Sequence, residues 1–140
     1  TIAEEIDYLQ SYVTIENMRF DNRIDCKFQI DPEVDVDSCE IPTMLMQPFV
    51  ENVFVHAFDK TYASPSLVIS FSMAAEDILE CKIIDNGKGF VESNRHKNRP
   101  SKGIHLAKER LALLEGATEN SITVQHDKNK GTTVRIRLKV

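Results

Sequence analysis

Cysteine is scarce in this sequence, and long hydrophobic runs are absent. The 140 residues contain three cysteines, Cys26, Cys39 and Cys81, and no two of them have the spacing of zinc or redox motifs. Neither a zinc site nor a disulfide framework is therefore indicated, and we expect buried, reduced thiols. The longest apolar runs, such as Val53–Val55, fall far short of the ~18 residues that cross a bilayer.

An excess of positive charge is lacking as well. Lysine and arginine total 17, aspartate and glutamate total 22, and the net charge is −5, which disfavours a nucleic-acid-binding protein. The remaining composition, 41% hydrophobic and 28% charged, is typical of one globular domain. The chain begins at Thr1 without methionine or a signal-peptide pattern. We expect a piece of a longer protein, in which a membrane segment could lie upstream.

Hydrophobic periodicity predicts three helices and five strands. Thr1 and Glu4 fit a capping box at the start of the first helix, and Pro48 should bend or restart the second. The predicted helices are Thr1–Asn22, Thr43–Asp59 and Ile104–Glu115, and the predicted strands are Arg23–Ile30, Leu67–Met73, Ile78–Ile84, Ser121–His126 and Thr132–Val140. This order favours an α/β (α+β) two-layer sandwich with a mixed sheet.

The same patterns predict which side chains are buried. In the first helix Ile2, Ile6, Leu9, Val13 and Ile15 recur at helical spacing as the apolar set, and Glu4, Glu5, Asp7, Gln10 and Glu16 form the wet face. In the third helix Leu106, Arg110, Leu111 and Leu114 share one side, and Gly116 is a natural stop. The last strand is apolar on one face and basic on the other.

The first candidate site motif lies in the second predicted helix. Asn52 and His56 are four residues apart and share a helix face. An exposed amide oxygen beside a carboxylate could hold a magnesium ion, which prefers oxygen ligands. The alternative is an ordinary surface asparagine on an amphipathic helix whose Phe49 and Val53 face the sheet.

The second motif is the run from Asp85 to Phe90, which follows a predicted strand. Gly87 and Gly89 allow close backbone approach, and ligands of α/β folds favour strand ends. An aspartate there can accept a hydrogen bond from an exocyclic amine such as that of adenine. The alternative is a plain Asn-Gly turn, which the long polar loop that follows makes less suitable.

The third motif is Gly103, placed just before the third predicted helix, where free amides attract phosphate. Between Lys88 and Lys102 the sequence has five cations and one acid. This basic stretch is either a solvated loop or a lid that closes over polyphosphate.

Taken in order, these motifs resemble the N, G1 and G2 boxes of the gyrase, Hsp90, histidine kinase and MutL superfamily. The resemblance rests on Glu51-Asn52 with His56, Asp85 to Phe90, Gly103 with Leu106 and Glu109-Arg110-Leu111, and Gly131-Thr132-Thr133. The segments Tyr8 to Phe20 and Ile41 to Asn52 are similar to those of the LytS/YehU-type sensor histidine kinases of bacteria.

The resemblance implies a Bergerat-type ATP-binding fold. By match, Asn52 would coordinate Mg²⁺, Asp85 would bind the adenine amino group, and Thr132 would help to hold adenine. The remaining matched positions are Gly87 and Gly89 beside the base, His56 beside the ribose or phosphates, and Lys102, Gly103 and His105 at the phosphates.

The resemblance also implies a wider context. Residues 1–22 would end a dimerisation and phosphoacceptor-side helix, and residues 23–140 would form the catalytic domain. That domain would transfer the ATP γ-phosphate to a histidine upstream of this chain, so the chain alone should not autophosphorylate. The parent would be a homodimeric membrane sensor with a cytoplasmic kinase domain and a response regulator of LytTR type.

Two departures from the family pattern leave alternatives open. Val55 replaces a usual cation, and His105 replaces a usual glycine, where a protonated imidazole could contact phosphate. One alternative is therefore a degenerate regulatory module without turnover. Another is an ATP-hydrolysing relative of gyrase or Hsp90, which would need a carboxylate one turn before Asn52, where Pro48 stands.

Overall fold

The computed structural model describes residues 1–88, 102–113, 121–127 and 130–140, without the side chains of residues 102–104. Within these ranges three α-helices, a short π-helix and five strands follow the predicted order. The helices are α1 (Ile2–Met18), α2 (Gln47–Asn52), the π-helix (Val53–Ala57) and α3 (Lys102–Ala112), and the strands are β1 (Asp25–Ile30), β2 (Ser66–Ala75), β3 (Ile78–Asp85), β4 (Ile122–Asp127) and β5 (Gly131–Lys139).

The five strands form one mixed sheet in the order β1-β2-β3-β5-β4. β1 runs parallel to β2, and the other neighbouring pairs are antiparallel. One sheet face is buried in the core, because alternate residues of β2, β3 and β5 all point to it. Leu67, Ile69, Phe71, Leu79, Cys81, Ile83, Ile136 and Leu138 form its centre. The predicted two-layer sandwich with a mixed sheet is confirmed.

Helix α1 begins with the predicted capping box, in which Thr1 and Glu4 exchange hydrogen bonds. Ile2, Ile6, Leu9 and Val13 of its predicted apolar set are buried in the same core as the sheet. The inclusion of Ile15 in that set is wrong, since it is 63% exposed. The predicted helix end at Asn22 is wrong, since α1 ends at Met18 and Asp21 and Asn22 have φ values of 55° and 56°. Aspartate and asparagine tolerate this left-handed conformation better than other non-glycine residues, and it reverses the chain.

The placement of Glu5 on the wet face is also wrong. Its side chain is 4% exposed, and its carboxylate accepts hydrogen bonds from the backbone amides of Met44 and Met46. These partners are remote in sequence, so helical periodicity gives no sign of them.

The second predicted helix is shorter than Thr43–Asp59. Met44 has a φ of 57°, which interrupts a helix, and α2 begins at Gln47 with Pro48 in its first turn. Proline suits that position because its missing amide would be unpaired there. The predicted restart at Pro48 is therefore confirmed, and the π-helix follows directly after Asn52. Phe49 and Val53 are buried as predicted.

Helix α3 begins at Lys102, so Gly103 lies in its first turn rather than just before it. Helix ends are the least certain feature of a sequence pattern. Ala107 and Leu111 are buried, whereas Leu106, predicted on the buried side, is 53% exposed. Ala107 and Leu111 are four residues apart and share the buried side of α3, and Leu106 lies about 100° around the helix from Ala107. Leu114 and Gly116 lie outside the described residues.

The outward sheet face carries charge. In β5 the predicted basic face is present, and Arg137 Nε donates to Glu80 Oε2 at 2.6 Å. Lys82 Nζ lies 2.5 Å from Glu80 Oε1. Glu80 is 6% exposed, because these cationic side chains cover it.

The cysteines are free thiols. Cys81 is buried, whereas Cys26 and Cys39 are half-buried, so the expected burial holds fully for Cys81 alone. Burial raises the pKa of Cys81, and burial with the Asp25 charge raises that of Cys26 to about 11. Within the described ranges, no helix has both the length and the hydrophobicity to cross a membrane.

Candidate functional site

Asp85 ends β3 with its side chain on the buried face of the sheet. It is 5% exposed, and its Oδ1 accepts the amide of Gly87 at 2.9 Å. Burial raises the pKa of this carboxyl, against hydrogen bonds from the backbone of Gly87 and Thr132 that lower it. Within the described part of the chain, no lysine or arginine forms an ion pair with Asp85. A buried carboxylate of this kind can accept a hydrogen bond from a ligand amine.

Thr132 lies directly across from Asp85, because the antiparallel register of β3 and β5 pairs the two residues. It is buried, and its Oγ1 lies 3.4 Å from Nδ1 of His126, its partner on β4. Asp85, Thr132 and His126 therefore form one row across three strands. His126 was not among the predicted site residues, although the two predicted strands, Ser121–His126 and Thr132–Val140, already bring their facing ends, His126 and Thr132, together.

Gly131 has a structural requirement of its own. Its φ is +102°, and a β-carbon there would overlap the carbonyl oxygen of Asp85. Only glycine allows β5 to begin this close to the end of β3. Gly131 therefore keeps Thr132 beside Asp85.

The turn after β3 packs against the end of the π-helix. A β-carbon at Gly87 would lie 2.5 Å from the carbonyl oxygen of Ala57, and that same oxygen accepts the amide of Lys88 at 3.0 Å. The Lys88 ammonium forms an ion pair with Asp59; together with hydrogen bonds from Thr61, it holds the pKa of Asp59 well below its usual range. Gly87 thus has a contact within the protein that requires its small size.

Asn86 supports this turn from the other side. Its Oδ1 accepts the amide of Ser66 at 2.8 Å, and its Nδ2 donates to the carbonyl of Ser64 at 2.9 Å. The hydroxyl of Tyr62 donates to the Asn86 carbonyl. These bonds fix the backbone between Asp85 and Gly87, a role that a local sequence pattern cannot reveal.

Asn52 lies at the junction of α2 and the π-helix, and His56 directly precedes Ala57, the π-helix residue that this turn contacts. Asn52 is half-buried and His56 is exposed. Short π-helices often mark functional sites. Glu51 accepts a hydrogen bond from Gln47 Nε2 at 2.6 Å, and Val55 is 64% exposed. The described residues contain no group of three or more His, Cys, Asp or Glu side chains that could hold a metal ion.

The phosphate-side residues are described less fully. Lys102 and Gly103 form the first turn of α3 by their backbone, and Gly89 and most of the basic stretch lie outside the described residues. The His105 side chain is exposed, and its Nε2 lies 3.3 Å from Glu109 Oε1. Arg110 Nη1 donates to the Thr43 carbonyl at 3.0 Å, which connects α3 to the segment before α2.

The structure thus brings Asp85, Gly87 and Thr132 together and places Ala57, the residue after His56, against Gly87. This set fits an adenine nucleotide. The carboxylate provides an acceptor for a ring amine, and the adjacent hydroxyl can donate or accept. The half-buried Asn52 amide offers an oxygen of the type that Mg²⁺ prefers alongside phosphate.

Curated relatives of the chain are bacterial sensor kinases. It is 29% identical to the sensor histidine kinase YesM of Bacillus subtilis over 99% of its length. It is 28% identical to the sensor protein kinase HptS of Staphylococcus aureus over 95% of its length. The chain spans only 23% and 26% of these two relatives. No protein-family model matches it.

Solved structures with the same fold are histidine kinase catalytic domains. The histidine kinase domain of the Erythrobacter litoralis EL346 blue-light activated kinase superposes with a TM-score of 0.65 at 20% identity, covering 94% of this chain and 59% of that one. The nucleotide-free catalytic domain of ThkA gives 0.66 at 14% identity, covering 99% and 92%. Full-length ShkA, solved in complex with AMPPNP, gives 0.66 at 12% identity, covering 98% and 29%. The resemblance and the Bergerat-type fold expected from the sequence are confirmed.

Proposed function

We propose that this chain, a homologue of the sensor histidine kinases with the fold of their catalytic domains, is the ATP-binding catalytic domain of such a kinase. It would transfer the ATP γ-phosphate to a histidine outside these 140 residues. The relatives are named as kinases, which disfavours a degenerate module.

One observation carries the proposal. A buried carboxylate that forms no ion pair with a lysine or arginine among the described residues lies at a strand end, with a threonine hydroxyl on the neighbouring strand. Burying a carboxylate is costly unless its oxygens are used. The backbone groups of Gly87 and Thr132 hydrogen-bond to the Asp85 carboxylate and occupy part of its acceptor capacity. A ring amine would occupy more of it.

Each site residue then has a task. Asp85 accepts the adenine amino group, Thr132 contacts the same ring, and Gly87 and Gly89 let the backbone pass beside the base. Asn52 would hold Mg²⁺, which when bound neutralises phosphate charge during transfer. His56, Lys102, Gly103 and His105 would contact the ribose or phosphates.

The surroundings of Glu51 disfavour ATP hydrolysis as the main reaction. A general base must reach the attacking water, whereas Glu51 is already bonded to Gln47 and Pro48 stands one turn before Asn52. A substantial ATPase rate that Glu51→Ala abolishes would instead favour a hydrolase.

The names of the relatives, which are sensor kinases, support a wider setting. We propose that the parent is a dimeric sensor with this domain on the cytoplasmic side of the membrane. Its partner would be a response regulator of LytTR type. Residues 1–22 would continue from a helix that bears the phosphoacceptor histidine. Phosphorylation of that histidine in the longer protein, lost in Asp85→Asn, would test this assignment.

Substitution of Asn52 tests the proposed metal role. Asn52→Ala should weaken ATP binding when Mg²⁺ is present and have little effect in EDTA, because only the metal-dependent part of the affinity uses the amide oxygen. Isothermal titration in the two buffers measures this. An equal loss in both buffers contradicts the metal role, and absence of wild-type binding at millimolar ATP contradicts the proposed function.

A further inference from the structure

We propose that Glu5 is a positioning residue for the nucleotide site. By binding the segment 43–46, it makes the orientation of α2, and so of Asn52, depend on the position of α1. This inference rests on the proposed function, in which Asn52 holds the metal.

The contacts of Glu5 are specific. The side chain is 4% exposed and lies at the interface of α1 with the sheet, close enough for its charge to act on the buried Cys81 thiol. Its Oε2 accepts the Met44 amide at 2.8 Å and its Oε1 accepts the Met46 amide at 2.9 Å. Both oxygens of this buried carboxylate thus accept backbone amides of one short segment. Hydrogen bonds to a carboxylate are stronger than those between two neutral groups.

Met46 transmits this contact to α2. It is the last residue before the helix, and its carbonyl accepts the amides of Phe49 at 3.1 Å and Val50 at 3.2 Å. The start of α2 has no side-chain cap of its own. Glu5 therefore holds the amide of a peptide unit next to the first helical turn. Asn52 lies at the other end of the helix, ~9 Å away at 1.5 Å per residue.

The segment 43–46 also depends on outside contacts for its shape. Met44 has a φ of 57°, and a non-glycine residue keeps this costly conformation only where its surroundings fix it. Glu5 binds the Met44 amide from α1. From the opposite side, Arg110 of α3 donates to the Thr43 carbonyl at 3.0 Å.

Four residues thus join the three helices of the described structure. α1 contacts them through Glu5, α2 starts from them, and α3, whose first turn holds Gly103, contacts them through Arg110. A displacement of α1 that moves Glu5 must shift this segment. Removal of the carboxylate should therefore disturb the nucleotide site beyond any loss of stability.

The test compares Glu5→Gln with Ile6→Val in the 140-residue chain. Glutamine has the same size but only one acceptor oxygen, so one of the two amides faces its NH2 group. Ile6→Val removes one methylene from the same buried turn of α1 and leaves both hydrogen bonds of Glu5 to segment 43–46 in place. Both variants are measured at a temperature where thermal melts show them fully folded. We expect Glu5→Gln to weaken Mg·ATP binding about five-fold or more, while Ile6→Val leaves it unchanged.

Backbone NMR of the nucleotide-free variants provides a second measurement. Glu5→Gln should shift the amide resonances of Met44, Met46 and Asn52, and Ile6→Val should leave that of Asn52 in place. Unchanged affinity and an unmoved Asn52 amide in Glu5→Gln would overturn the proposal. If Glu5→Gln does not fold, Arg110→Gln is measured instead, because it removes the other contact of segment 43–46. The proposal then requires that the amide resonance of Asn52 shifts in Arg110→Gln.

The two proposals fail separately. A wild-type chain without Mg·ATP binding contradicts the proposed function, while the NMR comparison still decides the role of Glu5. A wild-type chain that binds, with a Glu5→Gln variant that binds equally well, contradicts the positioning role alone.

Discussion

Replacement of Asp85 by asparagine separates ligand binding from stability, because ATP binding should weaken while the free energy of unfolding should not fall. The asparagine oxygen can still accept the Gly87 amide, which the carboxylate accepts at 2.9 Å. Its NH2 group, however, donates where the proposed adenine amine also donates. The variant therefore keeps the turn and loses the base contact.

The size of the binding loss follows from that contact. A hydrogen bond to a charged group contributes ~1.5–3 kcal/mol, so the ATP dissociation constant should rise roughly 10- to 150-fold. Isothermal titration with ATP and Mg²⁺ measures it. Asp77→Asn is the matched control, because it removes the same charge at the opposite end of the β2–β3 hairpin, where Asp77 pairs with Lys139.

The free energy of unfolding of Asp85→Asn should not fall together with its ATP affinity. Burial raises the folded-state pKa of Asp85, so the ionised form is disfavoured by folding. The contribution of the Asp85 carboxyl group to stability is therefore full below its unfolded-state pKa and declines as the pH rises through its folded-state pKa. At neutral pH, Asp85→Asn should leave the free energy of unfolding unchanged or raise it, and this difference should shrink on acidification.

The pH also affects binding in the wild type. Acidification through the raised Asp85 pKa protonates the acceptor, so wild-type ATP affinity should fall there, and that step should be missing in Asp85→Asn. An unchanged dissociation constant in the variant, or an equal loss in Asp77→Asn, would refute the assignment of Asp85 to the base.

Two further predictions concern stability. Gly131→Ala should lower the free energy of unfolding by ~1–3 kcal/mol, because the φ of +102° at Gly131 and the nearby Asp85 carbonyl exclude a β-carbon. Urea titration measures this, with Lys130→Ala at the exposed neighbouring position as the control. Equal stability of the two variants would contradict the prediction. Glu80→Gln should lower the free energy of unfolding by ~1 kcal/mol at pH 7. Burial alone would raise the pKa of Glu80, but Lys82 and Arg137 lower it below the ordinary glutamate value. The stabilisation by ionised Glu80 is present above the ordinary glutamate pKa and is lost as the pH falls through the lowered, folded-state pKa. The free energies of unfolding of the wild type and Glu80→Gln should therefore become equal in acid. A difference that stays constant with pH would contradict the ion-pair explanation.

The sequence predicted most of the architecture, because hydrophobic periodicity directly reports which face of each element is buried. Ile2, Ile6, Leu9 and Val13 are buried as their spacing requires. Pro48 correctly marked the restart of the second helix. The short polar pair Asp21-Asn22 favours a left-handed turn and ends the first helix earlier than its hydrophobic pattern indicates.

Long-range contacts explain the errors in the candidate site. Glu5 looked solvent-exposed because its partners, the amides of Met44 and Met46, lie about 40 residues away along the chain. His126 joins the row of Asp85 and Thr132 only through strand register. Periodicity describes one element at a time, so it cannot show which elements meet.

The central claim is that the buried carboxylate at the end of β3 binds the base of ATP. A crystal structure of the chain with a nonhydrolysable ATP analogue and Mg²⁺ tests it most directly. We predict the exocyclic amine of adenine at hydrogen-bonding distance, ~3 Å, from Asp85, with Thr132 against the same ring. A nucleotide bound elsewhere, or none at millimolar analogue, would contradict the account.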